Sequence, residues 1–391
     1  MKLKIKSSPD DFQVEEIATL ALEKRGSFAV YRLEKRGWNT VDALFEIARQ
    51  LKVPFENFSY GGKKDRHAVT SQWVTFKGQK ISEIAGKAFT LTFCGFSDRP
   101  MGPDLIDGNR FQIAVRALTA GQVESAAAEI CRVKEFGYPN YFDDQRFGSF
   151  DPVQGFIGEK LLKKHFNGAL KIYLTSLHSE GKKSDKERKK YFFEHWKDWS
   201  ACLKMATTGF ERKAFEFLQK QPAAFLPVLK EIPREDMSLY LSAYQSYLWN
   251  ELARRLIRVN VPADLKVYPG IAGEYIFYRD LSRDVFSYLK GLVLPTPAGN
   301  AKMPDEGSSR IYQEILDAEG LTKTMFTKLK IRESYFKATP RPLVMRPEDL
   351  NFRTEPDEAC AGKMKLLLQF TLKRGSYGTM LLKRLFCDDG R

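Results

Sequence analysis

The sequence predicts an α+β fold from three observations. Segments of alternating apolar and polar residues crowd the N-terminal third, helix-period stretches follow them, and strand-like texture returns near the C-terminus. Lys2-Leu-Lys-Ile-Lys6, 11–15 and 28–34 read as strands. Thr40 is placed to cap a helix whose apolar stripe is Val41, Leu44, Phe45, Ala48 and Leu51, a face that would cover the sheet. The segments 55–59 and 69–76 are strand-like and flank a glycine-led loop. Residues 89–93 and 110–116 alternate again, and 122–135 is helical with Val123, Ala127, Ile130 and Lys134 in register. Beyond the turn-rich 137–140 and 148–152 the texture becomes helical, at 156–165, 210–219 and 238–258. A strand over 363–372 and a helix over 379–386 close the chain, and no internal repeat is present.

At 391 residues the chain is long for one core, so two packed units are expected. Apolar residues make up 43% and charged residues 29%, enough to fill substantial cores. Sixty-three Lys plus Arg against 49 Asp plus Glu give a net charge of +14, and a polyanion is the partner this implies. Aromatics at 13%, many beside basic residues, favour nucleic acid over a charged membrane, because bases need stacking surfaces as well as phosphate contacts. The cysteines Cys94, Cys131, Cys202, Cys360 and Cys387 are scattered, without a Cys-x-x-Cys pair or histidines at ligand spacing. Neither a zinc site nor a disulfide framework is expected, and a cytoplasmic location is. No run approaches the ~20 apolar residues that span a bilayer, and Met1-Lys-Leu-Lys-Ile-Lys6 lacks an apolar signal core. Walker-type, Gly-x-Gly-x-x-Gly and His-Glu-x-x-His patterns are absent, which removes support for nucleotide hydrolysis, dinucleotide chemistry and zinc proteolysis.

The chemistry concentrates in Tyr60-Gly-Gly-Lys-Lys-Asp-Arg-His-Ala-Val-Thr-Ser-Gln72, where a single carboxylate, Asp65, sits among cations. Lys63, Lys64 and Arg66 favour its charged form, as a nucleophilic or electrostatic carboxylate requires. Read alone, the same residues describe a surface turn with an ordinary ion pair. However, Gly62-Lys63-Lys64-Asp65-Arg66-His67-Ala68-Val69-Thr70-Ser71-Gln72 resembles the catalytic motif of the TruD family of tRNA pseudouridine synthases. Further blocks follow in that family's order. They are 9–16 (PDDFQVEE), 35–40 (KRGWNT), 108–111 (GNRF), 139–148 (PNYFDDQRFG), 242–246 (SAYQS) and 375–380 (GSYGTM).

The resemblance implies a discontinuous pseudouridine-synthase-like catalytic domain, residues 1–152 plus 341–391, with a mixed or antiparallel sheet and helices. A large α-rich insertion would occupy 153–340. It implies isomerisation of uridine to pseudouridine, at position 13 of tRNA, with Asp65 as nucleophile attacking either ribose C1′ or uracil C6. No cofactor, metal or protein partner is implied; tRNA is the partner. Phe12, Asn109 and Tyr377 would contact the extruded base, with Phe111 beside them, while Lys64 and Arg146 would bind phosphate or bias Asp65.

Each of these residues has a plainer reading. Phe12 and Phe111 lie on strand-like stretches that often fill cores, Asn109 after Gly108 suits a turn, and lone cations are usually surface charges. Asp143 stands where the family has Gly and would add charge near an RNA surface, and Tyr377 stands where Phe is frequent. The basic run 182–190 is either a solvated face or an RNA contact. Two other functions compete: an RNA-binding protein without chemistry, and a metal-dependent nuclease using Asp10-Asp11, Asp143-Asp144 or Asp388-Asp389.

Overall fold

The computed structural model describes residues 5–177, 182–327, 329, 331 and 336–387. The architecture is α+β. Two compact units form, Met1–Tyr138 with Met345–Phe386, and Pro139–Val344 with Cys387–Arg391. The breaks expected at 152/153 and 340/341 both lie inside the second unit. There, Phe142 exchanges backbone bonds with the Asn250 amide, at 2.8 Å each, and Arg341 donates to Asn140 O at 2.8 Å.

The first unit is built on a nine-stranded sheet. Its strands are β1 (Phe12–Ala18), β2 (Phe28–Arg36), β3 (Phe58–Tyr60), β4 (Val69–Lys77), β5 (Ile84–Ala85), β6 (Phe89–Ser97), β7 (Ile106–Leu118), β8 (Glu348–Pro356) and β9 (Met364–Lys373). They run in the order β8-β9-β7-β1-β4-β2-β6-β5, with β3 added on β4. The β1–β4 pair is parallel and the other pairs are antiparallel. The strand expected over residues 2–6 is not found at Ile5 and Lys6, and residues 2–4 lie outside the described residues.

Helix α1 (Thr40–Leu51) covers one end of the sheet. Its buried face is Ala43, Leu44, Ile47 and Ala48, packed on Tyr31, Leu33, Val74 and Phe76. The expected stripe was rotated, for Phe45 is 61% exposed. The cap is Asn39, whose side chain accepts from Asp42 N at 2.8 Å; Thr40 is the first helical residue and bonds elsewhere. Helix α2 (Ala120–Phe136) also turns a face one step from the one expected, burying Ala126, Glu129, Ile130 and Val133. It packs near β9 and the C-terminal helix Gly378–Leu385. A fully buried ion pair, Arg384 with Glu129, joins these two helices.

Helices dominate the second unit. The longest, Arg234–Asn260, buries Leu241, Tyr244, Leu248, Trp249, Leu252 and Leu256, a three- and four-residue repeat suited to a central helix. Among the described residues no helix is long and apolar enough to cross a membrane.

Candidate active site

The strand register brings the N-terminal and Gly-Asn-Arg-Phe blocks together. Phe12, Val14 and Glu16 share the covered face of β1, and β7 sets Phe111 opposite Val14 and Asn109 opposite Glu16. On the other side of β7, β9 sets Phe370 opposite Phe111 and Leu372 opposite Asn109. Asn109 therefore sits in a strand, not in the turn its glycine suggested. Gly108 is needed for closeness, since a Cβ there would lie 2.4 Å from Leu372 O.

An aromatic floor results. Phe111 stacks on Phe370 at 5.1 Å and meets the edge of Phe12 at 6.2 Å. A Cβ on Gly378 would approach the Phe111 ring to 3.0 Å, so the C-terminal helix starts directly against this floor, and the preceding residue, Tyr377, is its N-cap. Phe12 and Phe111 are both buried, at 4% and 6% exposure, and the Lys6 ammonium lies 4.3 Å above the Phe12 ring.

Asp65 lies in the 61–68 loop between β3 and β4, with 41% of its side chain exposed. Its Oδ2 is 2.8 Å from Lys6 Nζ. The expected neighbours, Lys63 and Arg66, are exposed. A paired cation, Lys6, comes from the chain just before β1, a long-range contact that local spacing does not display.

Lys64 does not present its charge outward. Its Nζ is 2.7 Å from Glu16 Oε2 and 2.7 Å from Asn109 Oδ1. Glu16 is itself buried, with Oε1 accepting from Trp73 N at 3.2 Å. The loop backbone is also tied down. Thr40 Oγ1 accepts from Lys64 N and donates to Gln72 Oε1, at 2.8 Å each, and Gln72 Nε2 donates to Gly62 O at 3.1 Å.

Beneath the loop lies Lys35, only 2% exposed. Its ammonium donates to Trp38 O at 2.6 Å, Asp65 O at 2.9 Å and Lys64 O at 3.3 Å. Burial pulls its pKa down to about 8, with the Asp65 carboxylate opposing and Lys64 reinforcing the shift. Lys6, Glu16, Lys35, Thr40 and Gln72 are not among the site residues that the sequence indicates. Glu16 and Lys35 did carry a signal, because each continues the alternation of a buried strand face with a charge.

The remaining positions serve other contacts. Arg146 belongs to the second unit, where its guanidinium is 5.7 Å from the Phe142 ring and 3.4 Å from Ser242 Oγ. Asp143 is 2% exposed, so its carboxylate is not a surface charge. Asp144 accepts from Tyr275 Oη at 2.8 Å and from Ile271 N at 2.9 Å. Asp10 pairs with Arg36, and Asp11 with Arg116 at 2.8 Å. Asp388-Asp389 lies outside the described residues. Among the described residues no three His, Cys, Asp or Glu side chains gather as a metal would need. The basic run 182–190 falls largely in a helix, Lys183–Glu194, where Arg188 contacts Asp185 and Glu211, at 2.8 and 3.2 Å, and Lys189 donates to Ser176 O. Part of its charge is spent inside the unit.

The family model described as tRNA pseudouridine synthase D (TruD) matches residues 1–385. The tRNA pseudouridine synthase D of Aquifex aeolicus is 32% identical over 401 residues, covering 100% of this chain and 99% of the relative. That of Leptospira interrogans is 30% identical over 389 residues, covering 97% and 95%. A solved Methanosarcina mazei structure bearing the TruD name has the same fold, with a TM-score of 0.75 at 24% identity, over 98% of this chain and 93% of that one.

Proposed function

This chain belongs to the tRNA pseudouridine synthase D (TruD) family of enzymes, and we propose that it converts uridine 13 of tRNA to pseudouridine with Asp65 as the nucleophile. The reaction breaks the N1–C1′ bond, turns the base, and forms a C5–C1′ bond, while the proton on C5 is lost and N1 gains one. Nothing is oxidised or hydrolysed, so side chains alone can supply the chemistry. The half-exposed carboxylate of Asp65, paired with Lys6 at the edge of an aromatic floor, is the observation that carries this reading. The first unit is the catalytic domain in this reading, and the second is the insertion.

A stacked uridine cannot reach a loop carboxylate, so the base must leave its stack. Phe12 offers a ring face once Lys6 swings from it, and a displaced Lys6 is suited to meet the RNA phosphate. Phe111 and Phe370 back that ring and keep water from one side of the site. Attack by Asp65 at C1′ displaces the uracil anion, while attack at C6 forms an adduct on the base; both begin from the same anion.

Mapping pseudouridine in tRNA incubated with and without the pure protein tests the reading. A new pseudouridine at position 13 is expected, and an unmodified tRNA after full incubation would overturn it. Capture without modification would favour the binding-protein alternative.

Tyr377 begins the helix that rests on Phe111, which supports a stacking role against the extruded base. Tyr377→Phe should retain most activity, and Tyr377→Ala should lose roughly five- to hundredfold, the range that one base–aromatic stack is worth. Equal damage from both would assign the role to the hydroxyl, and a harmless Ala in a folded protein would remove Tyr377 from the site.

The charge of +14 predicts that tRNA affinity falls steeply with salt, because phosphate neutralisation releases condensed counterions. Binding measured from 50 to 200 mM salt should drop by about 10³-fold or more if several phosphates are contacted. A flat response would contradict the polyanion argument.

A further inference from the structure

We propose that Glu16 and Lys64 are positioning residues that lock the Asn109 side chain with its amino group toward the target base, so that this position reads a uracil carbonyl and not the N3–H. The proposal rests on the uridine-modifying function above. It concerns which end of an amide faces the substrate, a choice on which composition and motif are silent.

An ammonium has donors only. Lys64 Nζ stands 2.7 Å from Asn109 Oδ1, so the atom facing it must be the amide oxygen; turning the amide over would set two donors against each other. Lys64 cannot easily swing away, because its other contact is the Glu16 carboxylate at 2.7 Å, and its side chain is only 10% exposed. Glu16 is anchored in turn by Trp73 N–H of β4 and by direct pairing opposite Asn109 across β1 and β7. Backbone register thus fixes both ends of the relay. The Asn109 oxygen is used, and no bond from its amino group is found among the described residues.

Uracil presents the acceptors O2 and O4 and the donor N3–H, so a locked amino donor matches either carbonyl and opposes N3–H. If it meets O4, it also rejects cytosine, whose amino group occupies that place. A freely rotating asparagine would accept either polarity. Lys64 therefore acts through Asn109 and does not itself bind phosphate.

The test uses the full-length protein and tRNA carrying uridine, 2-thiouridine or 4-thiouridine at the target, with single-turnover rates and tRNA affinity measured for each. Sulfur is the weaker acceptor, so wild-type protein should lose about tenfold in efficiency on one of the thio substrates, the scale of one hydrogen bond. Asn109→Ala should lower efficiency on uridine and erase the oxygen-over-sulfur preference. Lys64→Met and, independently, Glu16→Gln should narrow that preference with tRNA affinity nearly unchanged. Glu16→Gln keeps the size of the buried group, so it remains informative if Lys64→Met does not fold. Indifference of the wild type to both thio substrates would overturn the proposal, as would an intact preference in a folded Lys64→Met or Glu16→Gln variant. Absence of turnover on ordinary uridine would instead count against the function itself.

Discussion

Replacing Asp65 by Asn is expected to abolish pseudouridine formation, a loss on the order of 10⁴-fold, while tRNA binding and the melting temperature stay near wild type. Asn keeps the size of the side chain and one oxygen for Lys6, whose Nζ is 2.8 Å from the carboxylate, but it cannot attack C1′ or C6 as an anion. The loop should hold its shape, because its anchors are Thr40, Gln72 and Lys35, none of which relies on the Asp65 carboxylate for a hydrogen bond. Single-turnover mapping of pseudouridine beside a binding curve separates chemistry from affinity. Substantial residual turnover would remove Asp65 as the nucleophile.

Replacing Lys35 by Met should cost about 10²-fold in the rate of the chemical step with little change in tRNA affinity. The ammonium supports the carbonyls of Trp38, Lys64 and Asp65 from below, and a shift of the order of 1 Å in a reacting group has that effect. The same residue gives a pH dependence of defined sign. The folded state holds this proton less tightly than the unfolded chain, at about 8 against an ordinary 10.5, mainly because the group is buried. Charging it therefore costs stability below about pH 8, and that cost is relieved as pH rises from about 8 toward 10.5. Activity should run the other way, since a neutral amine has two N–H donors for three carbonyls. Single-turnover rates and melting curves between pH 7 and 9.5 should show the wild-type rate falling above about pH 8, with the Lys35 contribution to stability rising. The Met variant should lack that limb. A limb of equal size in Lys35→Met would belong to another group, and full activity in the variant would deny Lys35 a positioning role.

Much of the first unit could be read along the chain. Strands such as 28–34, 69–76 and 363–372 declare themselves because a half-buried strand must alternate, and that alternation needs no knowledge of partners. Helices were legible in extent and less so in face. In α1 the buried residues are Ala43 and Ile47 beside Leu44 and Ala48, in one core cluster with Tyr31 and Val74, while Phe45 is left outside against Phe55. The cap moved to Asn39 for a related reason. Thr40 is drawn inward by Gln72 and the Lys64 amide.

Fold class, family and basic charge were legible in the chain, because periodicity, an ordered set of motifs and composition are all local properties of the sequence. How the side chains are used depends on packing between distant segments. Lys6 reaches Asp65 across 59 residues, Lys64 is spent on Glu16 and Asn109, and Lys35 lies beneath the loop as a buried cation. These partners meet through the pairing of β1 with β4 and β7 and through the loop that follows β3, and strand register is a long-range outcome of packing. A charge in the alternation of a buried face, as at Glu16 and Lys35, can be seen in the sequence. Which group neutralises or uses it depends on the neighbouring strand, and that is fixed only when the sheet closes over its core.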